Sequence, residues 1–365
     1  MTLSDFSILN GGHFAILAPG TDNLTIDNLK IDTNRYGIDV DACRNVRISN
    51  TSVNAPNDDA IVLKSSYALG AARATENVTI ANCFVSGYDI GSLLDATYKR
   101  NLTRAPDRDG PTGRVKLGTE SNGGFRKITI TNVVFDRTRG LALETVDGGP
   151  LEDITASNLS MRDVSNSPLF IRLGVRMRAP AGTLPGSVRR VGISNVVVCA
   201  DPRYASIISG VPGQWIEGVR LSDIRILYRG GLSLDDVARQ PADMVNTFFF
   251  RDSSGPLARE PFATPEREKD YPEPSVFGLL PAYGFFVRHV RGIEFHNVEV
   301  GYMRPDRRPA FVLEDVTGAS FHHLRAQKPE DSPYFVLRDV GDFALHDSAG
   351  VPDTRITDRV ARREM

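Results

Sequence analysis

The chain has 365 residues, and its 43 Lys and Arg against 45 Asp and Glu give a formal net charge of −2. That balance excludes a nucleic-acid binder that works through a broad basic field, and no apolar run is long enough for a membrane-spanning helix. The three cysteines, Cys43, Cys83 and Cys199, form no CxxC pair, which speaks against a thiolate zinc site.

In chain order, the first elements form a repeat. LTIDN from Leu24 is followed by VRISN from Val46, VTIAN from Val78, ITITN from Ile128 and ITASN from Ile154. It continues as VGISN from Val191, VRLSD from Val219 and IEFHN from Ile293, with weaker copies at Ala319 and Phe343. Alternation of apolar and polar residues is the period of a strand. The spacing is 22 residues from Leu24 to Val46, 26 from Ile128 to Ile154 and 24 from Ala319 to Phe343. A turn of a parallel β-helix has this length, and each turn must stack on its neighbours to bury its inner face. The predicted fold is therefore an all-β, single-stranded parallel β-helix of nine to eleven turns over residues 1–365. Asn at a fixed place in each copy predicts side-chain ladders between turns.

A second strand is expected after each repeat, beginning at a small residue. Gly37, Ala60, Gly91 and Gly140 follow Leu24, Val46, Val78 and Ile128 by 13, 14, 13 and 12 residues. Inserted loops are expected at about 95–113 and 229–288. The second carries aromatic residues that should pack against the solenoid or wall a groove, and SLDDVARQ within it reads as a short helix. The chain begins to read as a strand at Leu3, so the expectation is an uncapped N-terminal end, with further residues before it or self-association through it.

The chemistry concentrates at Asn57-Asp58-Asp59-Ala60, where adjacent carboxylates precede a strand. Like charges raise one pKa, so one carboxyl can serve as general acid while the other stays ionised as base. Glycoside hydrolysis needs that division. The strand register places Tyr36 beside Asp59, and Lys64 beside Asp41 with Asp95 or Glu144 further along, as a charge ladder.

These segments resemble glycoside hydrolase family 28, the polygalacturonases and rhamnogalacturonases. The resemblance is carried by NRYGIDVDACRNVRISN (34–50), NDDAIVLKSS (57–66), KLGTESNGGFRKITITN (116–132) and RGLALETVDGGPLEDITASN (139–158). It implies a right-handed, pectin-lyase-like β-helix that inverts at the cleaved bond without metal or other cofactor. It further implies a pectic saccharide as partner rather than nucleic acid or membrane, and a secreted or periplasmic location, although the first residues show no signal peptide. By the same resemblance, Asp58 falls on the general acid, Asp59 on a base, and Asp39 on a further acidic position. Tyr36 replaces another base, and Ala142-Leu143-Glu144 replaces the cationic motif that reads galacturonate. Tyr36, Lys64, Glu120, Arg126 and Glu144 are the expected substrate contacts, and Arg114, Lys116, Arg126 and Arg172 the cations available for a sugar carboxylate. The expected activity is exo-acting, because the inserts can close one end of a cleft. The competing readings are a carbohydrate-binding β-helix with weak or no catalysis, and a polysaccharide lyase.

Overall fold

The computed structural model describes residues 1–200, 204–249 and 257–365; part of the second insert, 250–256, lies outside them. The described strands join into one sheet whose pairings are parallel until the C-terminal strands Thr354–Ile356 and Val360–Glu364 fold back antiparallel on Phe335–His346. One inward row can be followed through the whole stack: Leu3, Ile26, Ile48, Ile80, Ile130, Ala156, Ile193, Leu221, Phe295, Phe321 and Leu345. Each repeat thus contributes an apolar residue to a core that no turn could bury alone. Phe285, Phe295, Phe311, Phe321 and Phe335 fill its C-terminal part with stacked and edge-on rings.

The repeated Asn sits at a corner between two walls, in the left-handed conformation: Asn50, Asn82, Asn132, Asn158 and Asn195 have φ between 52° and 56°. Asn tolerates this region better than other residues with a side chain. From Asn82 onward each of these amides also donates to the side-chain carbonyl of the Asn one turn before, Asn132 to Asn82 at 3.0 Å, Asn158 to Asn132 at 2.9 Å and Asn195 to Asn158 at 2.7 Å, while Asn50 donates to the Asp27 carboxylate at 2.8 Å. The predicted ladder is present.

The third wall positions the site. It contains Tyr36–Asp41, Ile61–Ser65, Val115–Ser121, Leu141–Thr145 and Leu169–Leu173. Gly37 is required here, because a Cβ would stand 2.5 Å from the carbonyl oxygen of Ala60 in the next turn. One expected strand is not formed. Residues 91–95 make a turn, with the amides of Leu93 and Leu94 donating to the Asp32 carboxylate at 2.8 and 3.2 Å, and Val115–Ser121 takes the expected place in the stack. Leu93 and Leu94 are only partly buried, whereas Val115 and Leu117 are fully buried, and the core selects the latter pair. The insert therefore begins earlier than its polar composition suggests.

Between Gly230 and Phe285 the chain leaves the stack. The short helix Leu234–Arg239 is set by Ser233, whose side chain and that of Asp236 form a reciprocal capping box. Further on, Phe262, Val276, Phe277 and Leu280 pack on the outward residues Ala142, Phe170, Ile207 and Phe286 of the third wall. This face of the wall is therefore a second core.

Candidate active site

The chain bends at 56–60 just before Ile61–Ser65, and the same corner of the adjacent turns presents Arg35–Tyr36 and Gly113–Arg114. The Asp59 carbonyl accepts from Gly37, and the Gly113 amide donates to the Asp58 carbonyl at 3.0 Å. These bonds hold Asp58 and Asp59 over the wall. A cleft of about 530 Å³ opens here, bordered by Arg35, Tyr36, Asp58, Arg114, Phe249 and Tyr271, with Asp107, Arg139, Arg178, Phe248 and Glu273 around it.

The two carboxylates face different surroundings. Asp58 Oδ2 lies 2.7 Å from Arg35 Nη2, and its side chain keeps 13% of its surface exposed. Burial, then the charge of Asp59, raises its pKa against the pull of Arg35. Asp59 is buried and holds Arg114 Nε at 2.6 Å, with Lys116 Nζ at 3.8 Å. Burial opposes its ionisation, but Arg114 and Lys116 outweigh it and keep its pKa below the usual value. One carboxyl is thus biased toward its acid form and its neighbour toward its base form.

Tyr36 lies where the register predicts. Its ring stacks on Phe14 at 4.9 Å, and Lys64 Nζ stands 4.4 Å from its centroid. Burial and the charges of Asp58 and Asp59 push the phenol far upward, so it remains neutral. Lys64 is in register with Asp41, yet its amine pairs with Asp39 at 2.9 Å and Glu120 at 3.6 Å. Asp41 instead accepts from Ser66, and Asp95 bonds to Thr97 within its own turn, so the expected ladder across these residues is replaced. Glu120 is partly exposed; burial raises its pKa, but Lys64 and Arg176 bring it below the usual value.

Several expected contacts lie elsewhere. Asp39 is fully buried under Lys64, and burial raises its pKa to about 6. Glu144 is also fully buried, beneath Lys116 at 3.4 Å and Thr119 at 3.5 Å, and burial raises its pKa to about 7. Neither offers a surface to a substrate. Arg126 lies on a different wall, in Phe125–Asp136, and pairs with Glu152 at 2.8 Å. Arg172 is buried against Ser209 and the carbonyls of Gly210, Glu266 and Arg267. Outward residues of the third wall read as solvent-facing in a sequence, but the second insert covers those of Leu141–Thr145 and Leu169–Leu173.

That insert also adds residues with no motif of their own. Glu273, at the start of the 3-10 turn Pro274–Phe277, is buried and lies 3.1 Å from Arg114, 3.5 Å from Arg139 and 3.1 Å from Asn166. Tyr271 Oη accepts from Lys116 Nζ at 3.3 Å and from Thr119 Oγ1 at 3.2 Å, and Phe249 stacks on its ring at 4.9 Å. Asp59, Arg114 and Glu273 form one chain of charge from the bend to the insert. The aromatic content of the insert was the available signal; its docking point was not.

The family model of a right-handed β-helix region matches residues 1–102, so the parallel helix is right-handed. No curated protein matches the chain significantly. Among solved structures, the chain is similar to a hyperthermoactive exopolygalacturonase from Thermotoga maritima, with 20% identity and a TM-score of 0.43 over 58% of this chain and 45% of that one. The chain therefore spans less than half the length of that protein.

Proposed function

We propose that the cleft is the active site of an inverting glycoside hydrolase acting on α-linked pectic saccharides, galacturonan or rhamnogalacturonan fragments. The observation that carries this reading is the Asp58/Asp59 pair, adjacent in sequence and oppositely biased in ionisation, with Asp58 lining a cleft that has an aromatic wall and Asp59 buried next to it. Asp58 is the general acid: its proton passes to the glycosidic oxygen as the anomeric carbon–oxygen bond breaks. Asp59 is the base: it takes a proton from the water whose oxygen forms the new bond to that carbon. Tyr36, neutral and next to Asp59, donates a hydrogen bond rather than accepting a proton. The rings of Phe248, Phe249 and Tyr271 offer the flat apolar faces on which sugars rest. The inserts that border the cleft favour exo action on short chains.

The test is release of reducing ends from pectic oligosaccharides by the wild-type protein and by Asp58→Asn. The general acid accounts for roughly 10²–10⁴-fold in rate, and its removal should lower turnover by that factor. Near-normal turnover by Asp58→Asn, or release of unsaturated products in place of hydrolysis, would discard the assignment.

A further inference from the structure

The cations around the cleft differ in how firmly they are held. Arg114 is buried between Asp59 and Glu273, Lys116 between Asp59 and Glu144, and Arg139 between Asp107 and Glu273. Lys64 is held by Asp39 and Glu120, and Arg176 by Asp147 and Glu120. None of these can turn to a ligand without leaving a buried carboxylate unpaired, which is costly.

Arg35 is placed differently. It stands on the tight connection before Tyr36–Asp41, and its side chain is 40% exposed. Among the described residues its one carboxylate partner is Asp58, at 2.7 Å, and its Nε has no partner. It borders both the cleft and a second hollow of about 340 Å³ lined by Asn10, Gly12, His13 and Asn34, so there is space for the guanidinium to move. A carboxylate on a bound sugar would meet in Arg35 a planar donor suited to bidentate recognition.

The pairing with Asp58 gives this exchange a chemical consequence. A general acid must carry its proton before the bond breaks. While Arg35 sits on Asp58 it favours the ionised form, the wrong one for donation. A sugar carboxylate that captures Arg35 withdraws the cation and brings a negative charge near, and both changes favour protonation from solvent. We propose that Arg35 reads a carboxylate on the bound sugar and that, by leaving Asp58 for it, it lets Asp58 take up the proton that is then donated to the leaving oxygen. This rests on the hydrolase reading above and adds to it a specificity residue and a substrate-dependent step. An uncharged sugar would leave the Arg35–Asp58 pair closed and the acid less fully protonated.

The test compares trigalacturonate with its fully methyl-esterified form on the wild type, Arg35→Gln, Arg35→Lys and Arg178→Gln. Arg178 is the control, because it is exposed at the cleft and has no ion pair among the described residues. The wild type should prefer the charged substrate. Arg35→Gln should raise KM for trigalacturonate roughly tenfold to a hundredfold, the worth of a hydrogen-bonded charge pair. The same variant should act faster than wild type on the ester, with the alkaline limb of its pH–rate profile moved to higher pH, because Asp58 is no longer held ionised. Arg35→Lys should keep part of the preference. Equal losses on both substrates would show Arg35 to be merely structural, and loss of the preference in Arg178→Gln but not in Arg35→Gln would place the reader elsewhere; either result overturns the inference. If the wild type cleaves both substrates equally well, this inference alone falls. If it cleaves neither, the hydrolase reading falls and takes this one with it.

Discussion

Asn132 offers a direct test of what holds the solenoid in register. It accepts from Asn158 at 2.9 Å, donates to Asn82 at 3.0 Å and has a φ of 54°. Asn132→Ala removes both bonds to the neighbouring turns, together with a 3.3 Å bond accepted from the adjacent Thr131 hydroxyl, which keeps its bond to Ser157, and forces a residue with a Cβ but no compensating polar group into the left-handed region. The conformational penalty is about 1–2 kcal/mol. Two exposed hydrogen bonds at the low end of the usual range, about 0.5 kcal/mol each, bring the expected loss to about 2–3 kcal/mol. Asn132→Gly removes the same bonds without the steric penalty, so its loss should be about 1 kcal/mol. Urea unfolding followed by circular dichroism measures both against wild type. The reasoning fails if Ala is no more destabilising than Gly, because that ordering depends on the left-handed corner and not on the bonds alone.

Four further outcomes are expected. Glu273→Ala leaves Arg114 and Arg139 short of a buried counter-charge and should cost roughly 3–5 kcal/mol, whereas Glu299→Ala, which breaks an exposed pair with Arg225, should cost far less; similar midpoints in urea for the two variants would contradict the buried network. Burial raises Glu144 from 4.5 to about 7, so the native state binds the proton more tightly and stability should fall as pH rises between these values. Glu144→Gln should flatten that part of the stability profile, and an unchanged slope in thermal melts would be contrary evidence. Tyr36→Phe keeps the stack on Phe14 but loses the hydroxyl, and should lower kcat roughly threefold to tenfold with little change in stability. Tyr36→Asp, which restores a carboxylate beside Lys64, should hold or raise turnover in the same assay.

The sequence made the solenoid legible because each turn repeats the same physical demand: apolar residues inward at every second position, and Asn at a corner that only a few residues tolerate. The pairing of Tyr36 with Asp59 followed from that register alone. The strand expected at 91–95 failed because four or five residues of alternation cannot distinguish a wall from a turn that uses Asp32 as its anchor. The burial of Asp39 and Glu144 escaped for a different reason. Asp39 lies under Lys64 of the next turn, a pairing hidden by a register that sets Lys64 beside Asp41. Glu144 lies beneath Lys116 and Thr119, both bonded to Tyr271 of the insert, so its burial depends on residues far along the chain. The same distance hides Glu273, 159 residues from Arg114. Arg35 was overlooked because its meaning lies in its partner, and a lone arginine before a strand carries no pattern.

The proposed hydrolysis with inversion by Asp58 and Asp59 is read most directly in the proton NMR spectrum of the first product formed from an α-linked pectic oligosaccharide. Inversion gives a saturated sugar whose new reducing end appears first as the β anomer and only later equilibrates. A first product in the α configuration, or a signal from a carbon–carbon double bond, would contradict it.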